Sequence, residues 1–140
     1  MRFSKKTQYG LRAMIYLARC YFKNKTCSLR EISEDENIPF DFLEKIILRL
    51  KKANLIGARK GSRGGYFLIK NPEKIKISEI IKILEGTISP VLCVANEKEI
   101  AIFCPQKNKC LAKNLWKKIE MVLNSTLNSI TLADLFNKNF

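Results

Sequence analysis

Five cysteines are the residues of this chain best suited to chemistry, and three of them share one segment. Cys93, Cys104 and Cys110 fall within residues 87–110, a stretch with no clear hydrophobic periodicity. Thiolates bind transition metals and take part in redox reactions. An odd number of cysteines in a chain without a recognisable export signal argues against a disulfide framework. The sequence therefore predicts reduced thiols that serve in metal ligation or redox sensing.

Positive charge is the second chemical feature, and it is concentrated in the first half of the chain. The sequence has 26 Lys and Arg against 13 Asp and Glu, a formal net charge of +13. Residues 1–70 hold 16 of the basic and 6 of the acidic residues, whereas residues 71–140 hold 10 and 7. Because such a field attracts polyanions, the first half is expected to meet phosphate. A bias of the host genome toward lysine is the alternative explanation for the total charge.

Three helices are predicted to position this basic surface. Between Ser4 and about Phe22, apolar residues recur at three- and four-residue steps, as one buried face of a helix requires. Ser28 to Glu31 matches a capping box, which starts a second helix from about Leu29 to Glu36. Pro39 interrupts the pattern, and a third helix follows with a charged outer face. Two short helices joined by a tight turn indicate a helix-turn-helix.

A glycine-rich turn between two short apolar runs predicts a β-hairpin. The runs are Leu55–Arg59 and Tyr66–Ile69, and the turn between them carries cations on flexible backbone. Such a hairpin beside a helix-turn-helix is a wing. Pro72 ends it, and a short helix with a serine start and a glycine stop is predicted from Ser78 to Gly86.

An apolar stripe returns in the last part of the chain. From about Leu111 it recurs at helical spacing over four or five turns. Little protein remains to cover this stripe, so a second copy of the chain is its natural cover. The predicted dimer-interface residues are Leu115, Ile119, Val122, Leu123 and Leu127. A capped start at Thr131 to Asp134 then opens a short final helix.

The elements together predict a mainly α fold with a small β-hairpin wing. Residues 1–86 are expected to form a winged helix-turn-helix DNA-binding domain, residues 87–110 a cysteine-bearing sensor loop, and residues 111–140 a dimerisation helix with a short C-terminal helix. No apolar run suits a membrane span, so a cytoplasmic protein without a membrane partner is expected. Without histidine, a phosphate-binding glycine loop or a nucleophile elbow, an enzyme is not expected.

The order and spacing of several segments resemble those of a known family. The segments are Ser4–Met14, Phe42–Lys45, Arg49–Ile56, the wing from Arg59 to Leu68, Cys104 to Trp116, and Ser129–Leu132. Over essentially the whole chain they resemble the Rrf2 family of winged-helix transcriptional regulators. The resemblance implies a bacterial homodimer in which two winged helices read a palindromic promoter site in double-stranded DNA. It also implies a long C-terminal helix that crosses between the subunits.

The resemblance and the geometry of winged helices together predict the DNA-reading residues. The start of the third helix would enter the major groove, and the wing would reach a neighbouring minor groove. Other cations, among them Lys51 and Lys52, would contact phosphates. The predicted DNA-binding residues are Lys5, Lys6, Tyr9, Ser28, Phe40, Asp41, Glu44, Lys45, Arg49, Arg59, Lys60 and Arg63. A merely solvated helical face is the alternative for Glu44 and Lys45.

Many members of the family hold an iron–sulfur cluster on three cysteines in the loop before the long helix. Here the resemblance assigns that role to Cys93, Cys104 and Cys110, with a [2Fe–2S] or [4Fe–4S] cluster that senses redox state, nitric oxide or iron–sulfur status. Ten residues separate Cys93 from Cys104, a longer interval than cluster-binding relatives tend to show. The other two cysteines, Cys20 and Cys27, are expected to be buried or incidental.

The fourth ligand of such a cluster is left open by the sequence. Lys113 stands where some members have a ligating histidine, and Gln8 stands where others have an acidic residue. Gln8, Glu97, Glu99, a water or a small thiol are the alternatives. Zinc on the same cysteines is an alternative to the cluster. A cluster-free regulator of the same fold, controlled by a thiol switch, a metabolite or a protein partner, is the alternative function.

Overall fold

The computed structural model describes residues 2–95, 104–106, 108–138 and 140. These residues form a mainly helical chain with one two-stranded antiparallel hairpin, as the sequence predicts. The helices are α1 (Lys5–Phe22), α2 (Leu29–Glu36), α3 (Phe40–Lys52), α4 (Ile77–Glu85), α5 (Leu92–Ala95), α6 (Lys113–Ser129) and α7 (Asp134–Asn137). The strands are β1 (Ile56–Arg59) and β2 (Gly65–Leu68), and a single 3₁₀ turn covers Pro72–Lys74.

The first two helices begin where side-chain hydrogen bonds satisfy their free backbone N–H groups. The Ser4 side chain accepts from the Thr7 N–H at the start of α1. The predicted capping box of α2 is confirmed, because Ser28 Oγ accepts from the Glu31 N–H at 3.1 Å and the Glu31 carboxylate accepts from the Ser28 N–H at 2.7 Å. Asn37 ends α2 in the left-handed conformation, and Pro39 precedes α3.

One hydrophobic core joins α1, α3 and α4. Its fully buried members include Met14 and Leu17 of α1, Leu43, Ile46 and Leu50 of α3, and Ile80 and Leu84 of α4. Burial of each such side chain contributes roughly 1.5–3 kcal/mol relative to exposure. The core fixes α3 against α1, which sets the direction of the outer face of α3.

The base of the wing is held by the short segment between α1 and α2. Cys27 forms an isolated antiparallel bridge with Tyr66, the second residue of β2. Gly65 adopts φ +143°, and a Cβ there would lie 2.8 Å from the Cys27 carbonyl oxygen. Only glycine combines this backbone conformation with so close an approach, so the residue is required for the bridge.

The chain after α6 returns to the core of the first half. The Leu132 N–H donates to the Ile75 carbonyl at 2.8 Å, and the Ile77 N–H donates to the Ile130 carbonyl at 3.0 Å. Leu132 is fully buried. The predicted capped start is confirmed: Thr131 N–H donates to the Asp134 carboxylate at 2.8 Å, and Asp134 N–H donates to Thr131 Oγ1 at 3.2 Å. None of the helices in the described ranges is long and apolar enough to cross a bilayer.

Three details differ from the sequence-based expectations. Helix α4 begins one residue before Ser78, whose buried hydroxyl contacts the side chain of Asn128 on α6 instead of capping the helix. The short helix α5 lies in the stretch predicted to lack periodicity. Cys20 and Cys27, both buried as expected, are joined in a disulfide bond, whereas the sequence predicts only reduced thiols. The turn after α1 brings the two sulfurs together.

Candidate DNA-binding surface and cysteine loop

The outer face of α3 presents the polar and aromatic side chains predicted to read DNA. Phe40 at its start is 43% exposed, although it is aromatic. The exposed charged residues of this face are Asp41, Glu44, Lys45 and Arg49. Because the apolar face of α3 is fully buried, this outer face is fixed in orientation rather than free to rotate.

Tyr9 connects α1 to α3 through its ring. The ring centroid lies 5.6 Å from that of Phe42 in an edge-to-face contact. Lys5 and Arg12 place their cations 5.7 and 5.9 Å from the same centroid. Tyr9 is half-buried, so in this structure it serves mainly to hold Phe42 and two cations in place. The sequence did not point to Phe42 as part of this arrangement.

A cleft of about 370 Å³ runs between the start of α1 and the outer side of α3. Its apolar floor includes Phe42 and Leu48, two exposed hydrophobic residues. Four cations surround the floor: Lys6, Lys45, Arg49 and Lys52. Cations from two helices therefore converge on one concave surface, an arrangement suited to a phosphate backbone.

The turn between α2 and α3 is held from α1 by Arg12. Its guanidinium donates to the main-chain carbonyl of Glu36, and its Nε lies 3.2 Å from the Glu36 carboxylate. This places a cation at the C-terminal end of α2, where free carbonyl groups carry partial negative charge. Sequence reasoning missed Arg12, because no local pattern signals a contact across 24 residues.

The wing carries its cations on a supported hairpin. Arg59 places its guanidinium 4.9 Å from the centroid of the Phe67 ring on the facing strand. Gly57 leaves room for that ring, since a Cβ there would lie 2.5 Å from Phe67 Cζ. Lys60 and Arg63 are exposed at the tip.

The remaining predicted DNA contact is Ser28. It is exposed at the start of α2, where its hydroxyl already accepts the Glu31 N–H.

Glu85 fastens the end of α4 to the start of α1. Its carboxylate accepts from the Ser4 N–H at 3.2 Å, from the Ser4 hydroxyl at 2.8 Å and from the Thr7 hydroxyl. Burial alone would raise the pKa of Glu85, but the hydrogen bonds from Thr7 and Ser4 hold this pKa below its usual value. The carboxylate thus caps α1 next to Lys5 and Lys6.

The three cysteines of the predicted sensor loop are all free thiols. Cys93 lies on α5 and is half-buried, Cys104 is half-buried, and Cys110 is exposed just before α6. Helix α5 packs against α6. Within the ranges that the structure describes, no three cysteine or carboxylate side chains are gathered so as to hold a metal ion. The structure therefore does not bring the predicted ligand set together.

Among the candidates for a fourth ligand, only Gln8 lies in the described part of the chain. Its side-chain amide is exposed on α1 and donates to the Phe3 carbonyl at 2.8 Å. Glu97 and Glu99 lie outside the described residues.

The apolar residues of α6 face two different directions. Leu123 and Leu127 pack against the core of their own chain. Leu115 and Val122 are 55% and 52% exposed, and Ile119 between them is half-buried. Met121, which the sequence did not single out, is 58% exposed. One side of α6 is thus attached to its own domain, while another side presents apolar residues to the outside.

Comparison with known proteins identifies the chain. The sequence profile of the Rrf2 family, described as iron-dependent transcriptional regulators, matches residues 3–138.

The chain belongs to the Rrf2 family.

The chain is similar to Rrf2-family regulators named CymR and IscR. The transcriptional regulator CymR of Bacillus subtilis is 36% identical over 135 residues, which cover 96% of this chain and 89% of that protein. The structure of IscR from T. potens superposes with a TM-score of 0.78 at 31% identity and covers 100% of this chain and 89% of that one. The structure of CymR, the global cysteine regulator of B. subtilis, superposes with a TM-score of 0.76 at 34% identity. The match covers 96% of this chain and 95% of that one.

The comparison confirms the resemblance to the Rrf2 family and the winged-helix fold class. It makes this chain a transcriptional regulator of that family, and the relatives carry the names of regulators rather than of enzymes. The individual DNA-binding, cluster-binding and dimer-interface residues stay predictions.

Proposed function

We propose that this Rrf2 protein binds a palindromic promoter site in double-stranded DNA as a homodimer, and that its affinity responds to an iron–sulfur cluster. The cleft in which Lys6 of α1 meets Lys45, Arg49 and Lys52 of α3 carries the DNA-binding part of the proposal. Four cations around one concave surface neutralise phosphates on binding and release counterions.

The roles of the remaining residues follow from their positions on this surface. Phe40, Asp41 and Glu44 lie at the start of α3 and meet the base edges of the major groove, where a carboxylate accepts from the cytosine amino group. Lys5 adds a phosphate contact. Arg59 leads the wing cations into a minor groove, with Lys60 and Arg63 beside it.

Dimerisation uses the exposed side of α6. Leu115 and Val122 are separated by two helical turns and lie on one face with Ile119. An exposed apolar stripe on a helix costs free energy until a partner covers it. A second copy of α6 is the occupant that joins two reading heads at a fixed spacing. In this arrangement residues 1–86 read DNA, residues 87–110 sense the signal and residues 111–140 hold the dimer.

The sensing part of the proposal rests on the donor set of the loop. Cys93, Cys104 and Cys110 are free, and thiolates are the usual ligands of iron–sulfur clusters. In the described arrangement these thiols are not gathered, so cluster binding requires a rearrangement that brings the three cysteines together. When bound, the group would supply an iron centre with a redox-sensitive charge. Because α5 packs against α6, an ordered loop bears directly on the dimer helix.

A cluster-free regulator is the second candidate, and the ungathered thiols favour it. A relative with 34% identity is described as a global cysteine regulator, so the signal sensed by this chain need not involve a cluster. In that case the free thiols of the loop act as a switch or the loop meets a metabolite or protein.

The deciding experiment compares the wild-type protein with the Cys93→Ala, Cys104→Ala, Cys110→Ala triple variant, both purified without oxygen. Iron, acid-labile sulfide and visible absorption in the wild type, and their absence in the triple variant, support the cluster. Equal and negligible iron in both favours the cluster-free candidate. Selection of bound genomic fragments by both proteins tests DNA binding separately, because a regulator prefers its own site over a scrambled sequence by orders of magnitude.

A further inference from the structure

The disulfide between Cys20 and Cys27 lies at a junction of three elements. Cys20 is in the last turn of α1, and Cys27 follows after a short turn, with 6.7 Å between their Cα atoms. Both residues are buried. The residue after Cys27 is Ser28, which caps α2. This pair is separate from the three loop cysteines, which are free.

The same segment supports the base of the wing. The Cys27 N–H donates to the Tyr66 carbonyl at 3.0 Å, and the Tyr66 N–H donates to the Cys27 carbonyl at 2.7 Å. The neighbouring Thr26 hydroxyl lies 3.1 and 3.0 Å from the carbonyl oxygens of Arg63 and Gly64. Residues 26 and 27 thus contact the second half of the hairpin through four hydrogen-bonding distances. The disulfide attaches this supporting segment covalently to α1.

A cavity lies beside Cys20 of the pair. It measures about 210 Å³, and Cys20 forms part of its wall. Tyr16 and Asp35, which also line it, are joined by a hydrogen bond from the Tyr16 hydroxyl, 2.7 Å long. The other lining residues are the cations Arg19, Lys23 and Lys25. Since a water molecule occupies roughly 30 Å³ in the liquid, a hydroperoxide or a small thiol fits the space.

We propose that Cys20 and Cys27 form a reversible redox site that sets how firmly the wing is held, with hydroperoxides as the oxidant and small dithiols as the reductant. The Cys20 sulfur, as thiolate, attacks one peroxide oxygen. The O–O bond breaks, Cys20 becomes a sulfenic acid, and the other oxygen leaves as water or alcohol. The Cys27 sulfur then attacks the Cys20 sulfur, the S–S bond forms, and the hydroxyl group leaves as water. Two electrons pass from the sulfurs to the peroxide, and a dithiol returns two electrons and two protons.

The connection to the wing follows from the hydrogen bonds. In the disulfide form, α1, Cys27 and β2 make one continuous support. In the dithiol form this covalent link is lost, and the segment is held only by burial of Cys27 and by its hydrogen bonds to the hairpin, so local opening costs less free energy. The wing tip with Lys60 and Arg63 therefore becomes more mobile on reduction. This consequence for the hairpin is independent of any cluster, and it affects DNA binding only through the function proposed above.

The test uses the full chain with Cys93, Cys104 and Cys110 changed to alanine, so that only the pair can react. After hydrogen peroxide, the intact mass is expected to fall by two hydrogen atoms and a linked peptide with Cys20 and Cys27 to appear. Dithiothreitol is expected to reverse both changes. Limited trypsin digestion then reports the wing, because Lys60 and Arg63 are cleavage sites. Cleavage there is expected to be roughly threefold or more slower in the oxidised form.

Adding Cys20→Ala provides the matched control, since it leaves the backbone bridge of Cys27 with Tyr66 in place. This variant is expected to show the faster cleavage under both conditions. If it does not fold, the two redox forms of the parent chain still give the comparison. Absence of the linked peptide, or equal cleavage of the wing in both forms, overturns the proposal. Different cleavage with equal DNA affinity upholds the redox site and counts against the wing as a DNA contact.

Discussion

Arg12 on α1 holds the last residue of α2, because its guanidinium donates to the Glu36 carbonyl and its Nε lies 3.2 Å from the Glu36 carboxylate. The contact fixes the end of α2, from which the turn leads into α3. Its energetic weight is modest, since the Arg12 side chain is well exposed and solvent screens the ion pair. Its value lies in orienting α3, the helix predicted to read DNA.

The variant Arg12→Met is therefore expected to weaken DNA binding more than it weakens the fold. The free energy of unfolding is expected to fall by about 0.5–1 kcal/mol, and the affinity for the selected DNA site is expected to fall severalfold. Urea denaturation and fluorescence anisotropy measure the two quantities. Arg30→Met, which removes an exposed arginine from α2 itself, is the matched control. Equal losses of affinity in both variants would show that only net charge matters.

The carboxylate of Glu85 predicts a stability that depends on pH. Glu85→Gln is expected to cost about 1–2 kcal/mol at neutral pH, because the ionised group accepts hydrogen bonds at the start of α1. The pKa of Glu85 is lowered in the folded state, so its contribution is complete above the pKa of the unfolded chain, near 4.3. The contribution is lost as pH falls through the lowered folded value. Urea titrations of both proteins from neutral to acidic pH measure the difference in their free energies of unfolding. This difference is expected to shrink below about pH 4.

Removing Lys5 and Lys6 tests the phosphate-binding surface. The double alanine variant is expected to bind every DNA sequence more weakly and to lower the magnitude of the salt slope by about 2, one unit per lost phosphate contact. Affinities at several salt concentrations give this slope. Alanine at Lys74 and Lys76 removes the same charge away from the cleft, so an equal change there would contradict the assigned surface.

Glu44 tests whether α3 reads bases. Glu44→Gln removes a charge that repels phosphate, so binding to scrambled DNA is expected to strengthen while preference for the selected site drops by about 1–3 kcal/mol. Competition between the two DNAs measures the preference. Glu34→Gln on α2 is the control for net charge alone. An unchanged preference would leave Glu44 as part of a solvated face.

The exposed side of α6 predicts the oligomeric state. Leu115→Asp together with Val122→Asp is expected to convert the dimer into a monomer, because each charge would be buried without a partner. Sedimentation velocity measures the mass, and circular dichroism checks that the helix content persists. Asn114→Asp with Ser125→Asp places the same charges at other exposed positions of α6. A wild-type chain that sediments as a monomer would remove the basis of this interface.

Much of the fold could be predicted because its signals are local. The capping box from Ser28 to Glu31 and the apolar periodicity of α1 and α3 depend on residues within one or two turns, and the helices begin and end where those signals stand. Pro39 and the glycine-rich wing turn mark boundaries in the same way. The outer face of α3 follows directly from its buried face.

The remaining features depend on contacts between distant residues. Ser78 looks like a helix cap in the sequence, but it is buried against Asn128 because α6 packs on α4. Cys20 meets Cys27 because the chain turns back after α1 to reach the wing. Glu85 reaches Ser4 only once the core has formed. No spacing pattern indicates such pairs.

The return of the chain after α6 has a consequence for the order of folding. Residues 130–133 hydrogen-bond to the segment from Pro72 to Ile77, and Leu132 fills the core beside α4. During synthesis, the winged helix therefore emerges with a vacant place in its core that is filled only after α6 has been made. Closing this contact spans more than a third of the chain, which makes it a slow and late step. The finished packing of the winged helix is therefore available only to a chain in which α6, the predicted dimerisation helix, has already been made.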